Sequence, residues 1–512
     1  MQKNQRLLIR FIKGEIGYGV PFYGIIIIVF LLMCGAFSSS LLDQDEMIYA
    51  LVAADMLDGK LPYQGVFDHK PIGVYYVYAF FFGIFGENFI AIRIMTVSLL
   101  GGTALCIFYG LRRLNFGRSA LVVSFTTCLA FPIGIDGLSG NTESIQTFIL
   151  ALVFFLIVRI QDENSTHKKT IALFYGALVA LGFSVNYLFS FLGMFSFLSL
   201  ILFLFSIGKS IRYLTIISFY TAGGFFLGSS IIYSPYFFDY FTGGDLLLEY
   251  LSDQIVFLTS YGANFDKSLV VNKLFKWIVP FTPIIVSGAL MFYTLEKEKK
   301  IVGFFSIGTF LAACIAASAS MMFFNHYWIL STVSIALFSA IAVESSKELQ
   351  SSLIIRYGHS ITLLIFIVSG SGRIVNHTLN IGAERELKQA NAFIKHTIGT
   401  QEPVVTISTS PVYVFLNKLN TNQKYHFEGH VEQLHNAGVL DGDAYFMGLL
   451  EKNPTYTLVE PKICDRESFL IFVDTCECLK NNYSLISSFQ GVRPVSIYKR
   501  INDFEVARYV DI

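Results

Sequence analysis

The chain has 512 residues, 54% of them hydrophobic and 14% charged, with 37 Lys plus Arg against 37 Asp plus Glu. A soluble chain carries about a quarter charged residues, so this composition, at a mean hydropathy of +0.58, excludes a single soluble globular domain. A formal net charge of zero supplies no basic field for a polynucleotide, and no nucleic-acid partner is expected.

Apolar runs recur at roughly 20–38, 72–86, 89–111, 119–135, 143–160, 170–186, 191–207, 213–233, 274–294, 301–319, 324–343 and 353–372. A helix needs about 20 such residues to cross the hydrocarbon core. The first run follows Lys3, Arg6, Arg10 and Lys13 and leads into further membranous sequence, so it reads as a retained span and not a cleaved signal. The run 72–86 is short, starts after Pro71 and carries Tyr75, Tyr76 and Tyr78, residues that favour the interface. Laid along the surface as a juxtamembrane helix, it leaves about eleven spans. The basic links Arg112-Arg113…Arg118, His167-Lys168-Lys169, Lys209…Arg212, Lys297…Lys300 and Lys347…Arg356 then share one side, which the positive-inside rule makes cytoplasmic. The amino terminus is expected inside the plasma membrane and the carboxyl terminus outside. The outer face then receives loop 39–88, link 136–141, loop 234–273, the start of the span at Phe324 and the tail after Gly372.

Most of the chemistry-bearing residues fall on that face. Asp43, Asp45 and Glu46 follow the first span and precede the apolar helical stretch Met47 to Ala54. At the amino end of a helix the dipole favours carboxylates and keeps them ionised. An ionised aspartate can take a proton from an attacking hydroxyl or help hold a divalent cation; the plain alternative is a hydrated loop. Lys70, fixed by Pro71, suits a point charge on a lipid-linked phosphate leaving group, or else a snorkelling interfacial lysine. His69 stays open between packing, phosphate contact and metal ligation. Arg93, near the outer end of its span, is costly there unless paired or snorkelling, and could reach the same phosphate. Asn141 and Glu143 open another span from outside, with Glu143 either a helix cap or a site group. His326 starts the span at 324–343 as an interfacial residue or a ligand.

The tail changes character near 381. An amphipathic helix is expected over 384–398, with Leu387, Ala390, Ile394 and Ile398 on one face. Short apolar runs at 404–407, 456–459 and 495–498 alternate with helical stretches at 444–450 and 467–479, which predicts a small α/β domain over 381–512 after a membrane domain over 1–380. No glycine-rich phosphate loop opens these helices, so no catalysis of its own is expected. A disulfide from Cys464 to Cys476 or Cys478 is compatible with an outer location. The stretch His426-Phe427-Glu428-Gly429-His430 lacks the spacing of a helical His-Glu-x-x-His zinc site and receives no catalytic role.

Taken in order, Asp45-Glu46-x-x-Tyr49, Gly59-Lys60-Leu61-Pro62-Tyr63, Asp68-His69-Lys70-Pro71, Arg93, Arg112-Arg113-Leu114-Asn115-Phe116-Gly117-Arg118 and His326-Tyr327 resemble the GT-C fold membrane glycosyltransferases. The likeness is to bacterial relatives of dolichyl-phosphate-mannose protein mannosyltransferase and lipid A aminoarabinose transferase. It implies a polytopic α-helical membrane protein with juxtamembrane helices and a small C-terminal extracytoplasmic α/β domain. It also implies an inverting enzyme that moves a sugar from a polyprenyl-phosphate donor to a glycolipid, polysaccharide or protein acceptor among the membrane lipids. Asp45 and Glu46 would be catalytic, and Lys70, His69 and Arg93 would meet the donor phosphate. Asp43, Tyr49, Asp68, Asn141, Glu143 and His326 would line the substrate. No cofactor is certain; a divalent metal ion is left open, with Asp43, Glu46 and Glu143 as candidate ligands. Ile72 stands where many relatives have a second proline. A lipid-glycan flippase would show internal repeats and midplane ionisable groups, whereas these acids cluster at one surface. A polysaccharide polymerase would use similar lipid-linked glycans, but the Asp-Glu and Lys-Pro pattern favours a monosaccharide transferase.

Overall fold

The computed structural model describes residues 43–134, 139–162, 167–260, 278–319, 325–345, 381–426, 428–436, 438–461, 463–465, 472–490 and 493–501. The expected spans at 20–38 and 353–372 lie outside these residues, as do Phe324 and the basic link 347–356.

The chain opens with helix α1 (Gln44–Leu57), started by a capping box in which Asp43 is the N-cap and Glu46 returns to the Asp43 amide. Next come α2 (Gly73–Phe85), α3 (Phe89–Arg113), α4 (Arg118–Gly134), α5 (Thr142–Gln161), α6 (Lys168–Val185), α7 (Phe189–Ser206), α8 (Ile211–Phe241), α9 (Leu246–Ser260), α10 (Thr282–Met291), α11 (Lys300–Ala319) and α12 (Thr332–Ser345). Seven helical segments here are long and apolar enough to cross a membrane: α3, α5, α6, α7, α8, α11 with the turn before it, and α12 with its 3-10 lead-in from His326. The last is almost wholly buried and forms the axis of the bundle, while α8 lies at the rim with most of its surface outward. Helix α2 has 13 residues, about 20 Å at 1.5 Å per residue, too short to cross, as expected for a juxtamembrane helix.

One expectation fails at α8. The run was expected to end near 233 and to open a loop over 234–273, yet the helix continues through Pro235 to Phe241, and α9 fills much of the supposed loop. An internal proline breaks a helix less readily where packed neighbours satisfy the freed carbonyl. Helix α8 packs closely on α6, where a Cβ added at Gly224 would stand 1.9 Å from the Leu173 carbonyl oxygen. Small residues let backbones approach this far.

The tail forms α13 (Ile381–Thr397), β1 (Val404–Ile407), α14 (Val412–Asn417), α15 (Glu428–Asn436), α16 (Gly442–Leu450), β2 (Tyr456–Val459), α17 (Val473–Asn482), β3 (Tyr483–Phe489) and β4 (Val495–Arg500). The sheet order is β1-β2-β4-β3: β1 and β2 run parallel, and β4 pairs antiparallel with both neighbours. The α/β expectation agrees, and Cys464 bonds to Cys476. Strand β3 was missed because its serine-rich sequence is mostly exposed and carries no apolar run.

This tail domain docks on the end of the bundle that carries α1. The Phe67 amide donates to the Lys424 carbonyl at 2.7 Å, Lys418 pairs with Glu87 at 2.9 Å, and Lys424 pairs with Asp253 on α9 at 3.2 Å. Phe415 stacks on Phe82 of α2. The first loop is therefore held between the bundle and the tail domain.

Candidate active site

Helix α1 builds one wall of a polar centre at this end of the bundle. Its N-cap Asp43 accepts from the Gln44 amide at 2.6 Å and from the Asn141 side-chain amide at 3.3 Å. Asn141 thus joins the start of α5 to the start of α1. Asp45, in the first turn, is half-buried and makes no ion pair or hydrogen bond through its side chain among the described residues. Burial pushes its pKa up to about 6; Lys70 and His326 pull it back, while Asp43 and Asp68 push it further up. The helix dipole alone led to the expectation of an ordinary ionised carboxylate. Desolvation outweighs the dipole here, because the dipole contributes about 0.3–1 kcal/mol and each pKa unit represents about 1.4 kcal/mol.

Glu46 differs sharply from its neighbour. Only 1% exposed, it accepts from the Arg93 guanidinium at 3.0 Å, the Gly140 amide at 2.5 Å and the Asp43 amide at 2.8 Å. A Cβ at Gly140 would stand 2.7 Å from both the Tyr78 hydroxyl and Met95, which explains a glycine where the backbone must reach this carboxylate. Glu46 was expected to be catalytic and Arg93 to meet a phosphate. The structure places the two side chains against each other at 3.0 Å, a pair that braces α1 against α3. A buried arginine finds here the partner its location demands.

Across the centre lies the strip Asp68-His69-Lys70. Asp68 is buried, accepting from Tyr75 at 2.9 Å and the His69 amide at 2.8 Å. Burial opposes its ionisation, but the two histidines beside it, His69 and His430, hold its carboxyl well below the usual carboxylate range. Lys70 Nζ lies 2.6 Å from His69 Nε2, and the Lys70 carbonyl accepts from Tyr63 and Tyr75. The His69 ring stacks on Phe257 of α9 at 4.4 Å between centroids, and burial with the Lys70 charge lowers its pKa to about 3.

Sequence reasoning set His430 aside, yet α15 carries it into this strip from the tail domain. Only 2% exposed, it places Nε2 3.1 Å from His69 Nδ1 and 3.4 Å from Asp68 Oδ1. The available signal was the pair His426 and His430 in one short stretch, which was judged only against a helical zinc motif. A second contribution from the tail is Arg493. Burial lowers its pKa, while the charges of Asp43 and Glu46 act to raise it, so Arg493 is within electrostatic reach of the acids capping α1.

Asp68, His69 and His430 offer three ligand atoms within 4.8 Å of one another, enough to hold a metal ion. The neighbouring lysine limits that use. An ammonium only donates, so His69 Nε2 must accept from Lys70, and the ring hydrogen then sits on Nδ1, facing Asp68 and His430. A metal on Nδ1 would shift that hydrogen to Nε2, against the lysine. In the observed arrangement the three side chains serve as a hydrogen-bonded support for Lys70. The other candidate ligands, Asp43, Glu46 and Glu143, do not form such a group among the described residues.

The remaining expected residues border the same space. Tyr49 is 1% exposed, packs edge-on to Tyr75 and Tyr78, and keeps its hydroxyl without a hydrogen-bond partner among the described residues. Asn141 Oδ1 is likewise buried and unmatched. Glu143 does not cap α5; its carboxylate lies 3.5 Å from the Asn186 amide. His326 is half-buried at the 3-10 entry to α12 and bears electrostatically on Asp45.

The dolichyl-phosphate-mannose-protein mannosyltransferase family model matches residues 69–227, less than a third of the chain. In solved structures, ArnT from Cupriavidus metallidurans bound to undecaprenyl phosphate superposes with a TM-score of 0.62 at 12% identity, covering 94% of this chain and 98% of that one. Its apo form gives 0.61 at 13% identity over the same shares. The Archaeoglobus fulgidus oligosaccharyltransferase tethered with an acceptor peptide gives 0.50 at 11% identity, over 95% of this chain and 74% of that one. No curated protein sequence matches the chain. The chain therefore has the GT-C type of polytopic fold, with an ArnT-like arrangement of bundle and tail domain.

Proposed function

We propose that the chain is an inverting glycosyltransferase that moves a sugar from a polyprenyl-phosphate donor to an acceptor hydroxyl at the outer face of the plasma membrane. The observation that carries this reading is a desolvated carboxylate, Asp45, influenced by the charge of a supported lysine, Lys70, in one centre. The GT-C fold supports it, and the undecaprenyl phosphate bound to ArnT supports the class of donor.

Asp45, with a pKa of about 6, is ionised near neutrality yet basic enough to take the proton of an acceptor hydroxyl. As that oxygen bonds to the anomeric carbon, the opposite bond to phosphate breaks. Its electron pair leaves with the polyprenyl phosphate, so configuration inverts. Lys70 opposes the charge that develops on the phosphate oxygen, and interactions aimed at developing charge are the largest usual contribution to rate. His69, kept neutral, orients Lys70, and Asp68 with His430 fixes the His69 ring. The unmatched Tyr49 hydroxyl and Asn141 carbonyl oxygen are suited to sugar hydroxyls, since buried polar atoms otherwise stay uncompensated. No step runs through a metal ion; if Lys70 swings away, Asp68, His69 and His430 are the residues that would hold a divalent ion, which would supply further positive charge near the phosphate.

Labelled polyprenyl-phosphate sugars and candidate acceptors, incubated with purified protein in detergent, test the reading. Wild type is expected to transfer label with inversion, and Asp45→Asn to bind donor but not transfer. Equal turnover by the two proteins would remove Asp45 as the base.

A further inference from the structure

A second polar cavity, of about 800 Å³, lies between the C-terminal half of α1, the loop after it and the tail domain. Its size falls within the range of about 300–1,000 Å³ typical of small-ligand sites. From the geometry and chemistry of its walls we infer that this cleft binds an uncharged glycan, namely the sugar residues of the acceptor that lie behind the reacting hydroxyl; the assignment to the acceptor rests on the transferase reading above.

The charges in the cleft cancel locally. Of its four lysines, Lys60 is closed on Asp55 at 2.7 Å, Lys418 on Glu87 at 2.9 Å and Lys424 on Asp253 at 3.2 Å. The fourth, Lys452, shares the exposed rim with Asp58. No unbalanced field remains to draw a phosphate or an acidic sugar, unlike the Lys70 centre. The other polar side chains are neutral: Gln64, Asn420 and Thr421, which also bond Leu61, Gln401 and His426, together with the exposed Asn422. Tyr445 supplies a fixed ring: its hydroxyl accepts from the Lys424 and Tyr425 amides at 3.1 Å each, and the side chain stays half-exposed. Neutral amides, hydroxyls and a pinned aromatic ring complement a polyol that has both polar edges and apolar faces.

Position links the cleft to the chemistry. Leu51, Ala54 and Asp55 of α1 line it, while Asp45 sits near the start of the same helix. Ten residues separate Asp45 from Asp55, about 15 Å along the helix at 1.5 Å per residue. An acceptor of a few sugar units, anchored in the cleft, spans that distance. Gly65 and Val66 line it from the other side, just before the Asp68-His69-Lys70 strip.

The test is capture of immobilised ligands by full-length protein in detergent, without donor. The array carries neutral oligosaccharides of hexose and N-acetylhexosamine, their uronic-acid counterparts, and peptides. Neutral glycans are expected to be captured. Asn422→Trp, an exposed change that fills the cleft, should weaken capture by roughly tenfold or more, and Asn422→Ala should weaken it less. Lys70→Ala should leave capture unchanged, so a failure of the transferase reading would not disturb this result. Capture of acidic glycans alone, of peptides alone or of no glycan, or undiminished capture by Asn422→Trp, overturns the inference.

Discussion

The two ends of α1 treat their carboxylates in opposite ways. Near the C-terminal end, Asp55 is closed on Lys60 at 2.7 Å beside a cleft whose charges are balanced. Near the N-terminal end, Asp45 is half-buried with no direct side-chain partner among the described residues, and burial raises its pKa to about 6. Its neighbour Glu46 shows that the fold could have satisfied a carboxylate there, since Arg93, Gly140 and Asp43 all engage it. An acid partly desolvated without a direct partner costs stability, and its persistence beside a fully satisfied one supports the proposal that Asp45 is the reacting group. On that proposal, charge pairing separates the parts that hold α1 in place from the part that does chemistry.

The strongest way to break this contrast is Asp45→Asn. Turnover should fall by about 10²–10⁴-fold, the usual range for a positioned general base, while the variant melts higher than wild type near neutrality. The sign follows from linkage. A folded-state pKa raised above the unfolded value of 3.8 gives stability that is full below that value and is lost as pH rises through about 6. The melting advantage of the variant should therefore vanish in acid. A variant less stable than wild type at neutral pH would make Asp45 a structural acid like Glu46.

Arg93→Ala probes the satisfied side. It leaves the Glu46 carboxylate buried without its cation, held only by two backbone amides, and breaking a buried pair in this way typically costs about 3–5 kcal/mol, measurable as a lower denaturation midpoint. The double change Arg93→Met with Glu46→Gln should recover part of that loss. A single variant as stable as wild type would show that the brace contributes nothing.

A smaller effect is expected from His430→Ala, whose side chain acts through His69 on Lys70. The KM for donor should rise several-fold, with a lesser change in kcat, and His430→Gln should restore part of it by keeping a polar group opposite Asp68; these are effects of roughly 1 kcal/mol. An unchanged KM would detach the tail domain from the donor site. Chelation is the gentlest probe. Transfer should survive exhaustive treatment with EDTA, because Lys70 occupies His69 Nε2; a loss reversed by a divalent ion would convert the triad into a metal centre.

Much of this organisation is legible in the chain because it is local. Asp43 and Glu46 are three residues apart and read as a helix start, and Lys70-Pro71 reads as a fixed cation at an interface. Seven of the expected spans follow from apolar runs alone, while the runs at 119–135 and 274–294 give the shorter helices α4 and α10 among the described residues; the tail strands β1, β2 and β4 follow from short runs. What escaped is long-range. His69 and His430 are 361 positions apart, and no periodicity in either segment encodes their meeting. The Glu46–Arg93 pair joins helices 47 positions apart, so two residues that each resemble site groups in isolation turn out to satisfy one another. The rise in the Asp45 pKa was not legible for a related reason, since burial depends on what covers a residue and not on its place in a helix.

The central claim, that Asp45 and Lys70 act on one substrate, is tested most directly by the pH dependence of kcat/KM in wild type and in Lys70→Met. Lys70 lowers the pKa of Asp45, so wild type should lose activity as pH falls through about 6. The residual activity of Lys70→Met should lose it at a distinctly higher pH. An acid limb at the same pH in both proteins would contradict the account, because it would place the lysine beyond electrostatic reach of the base.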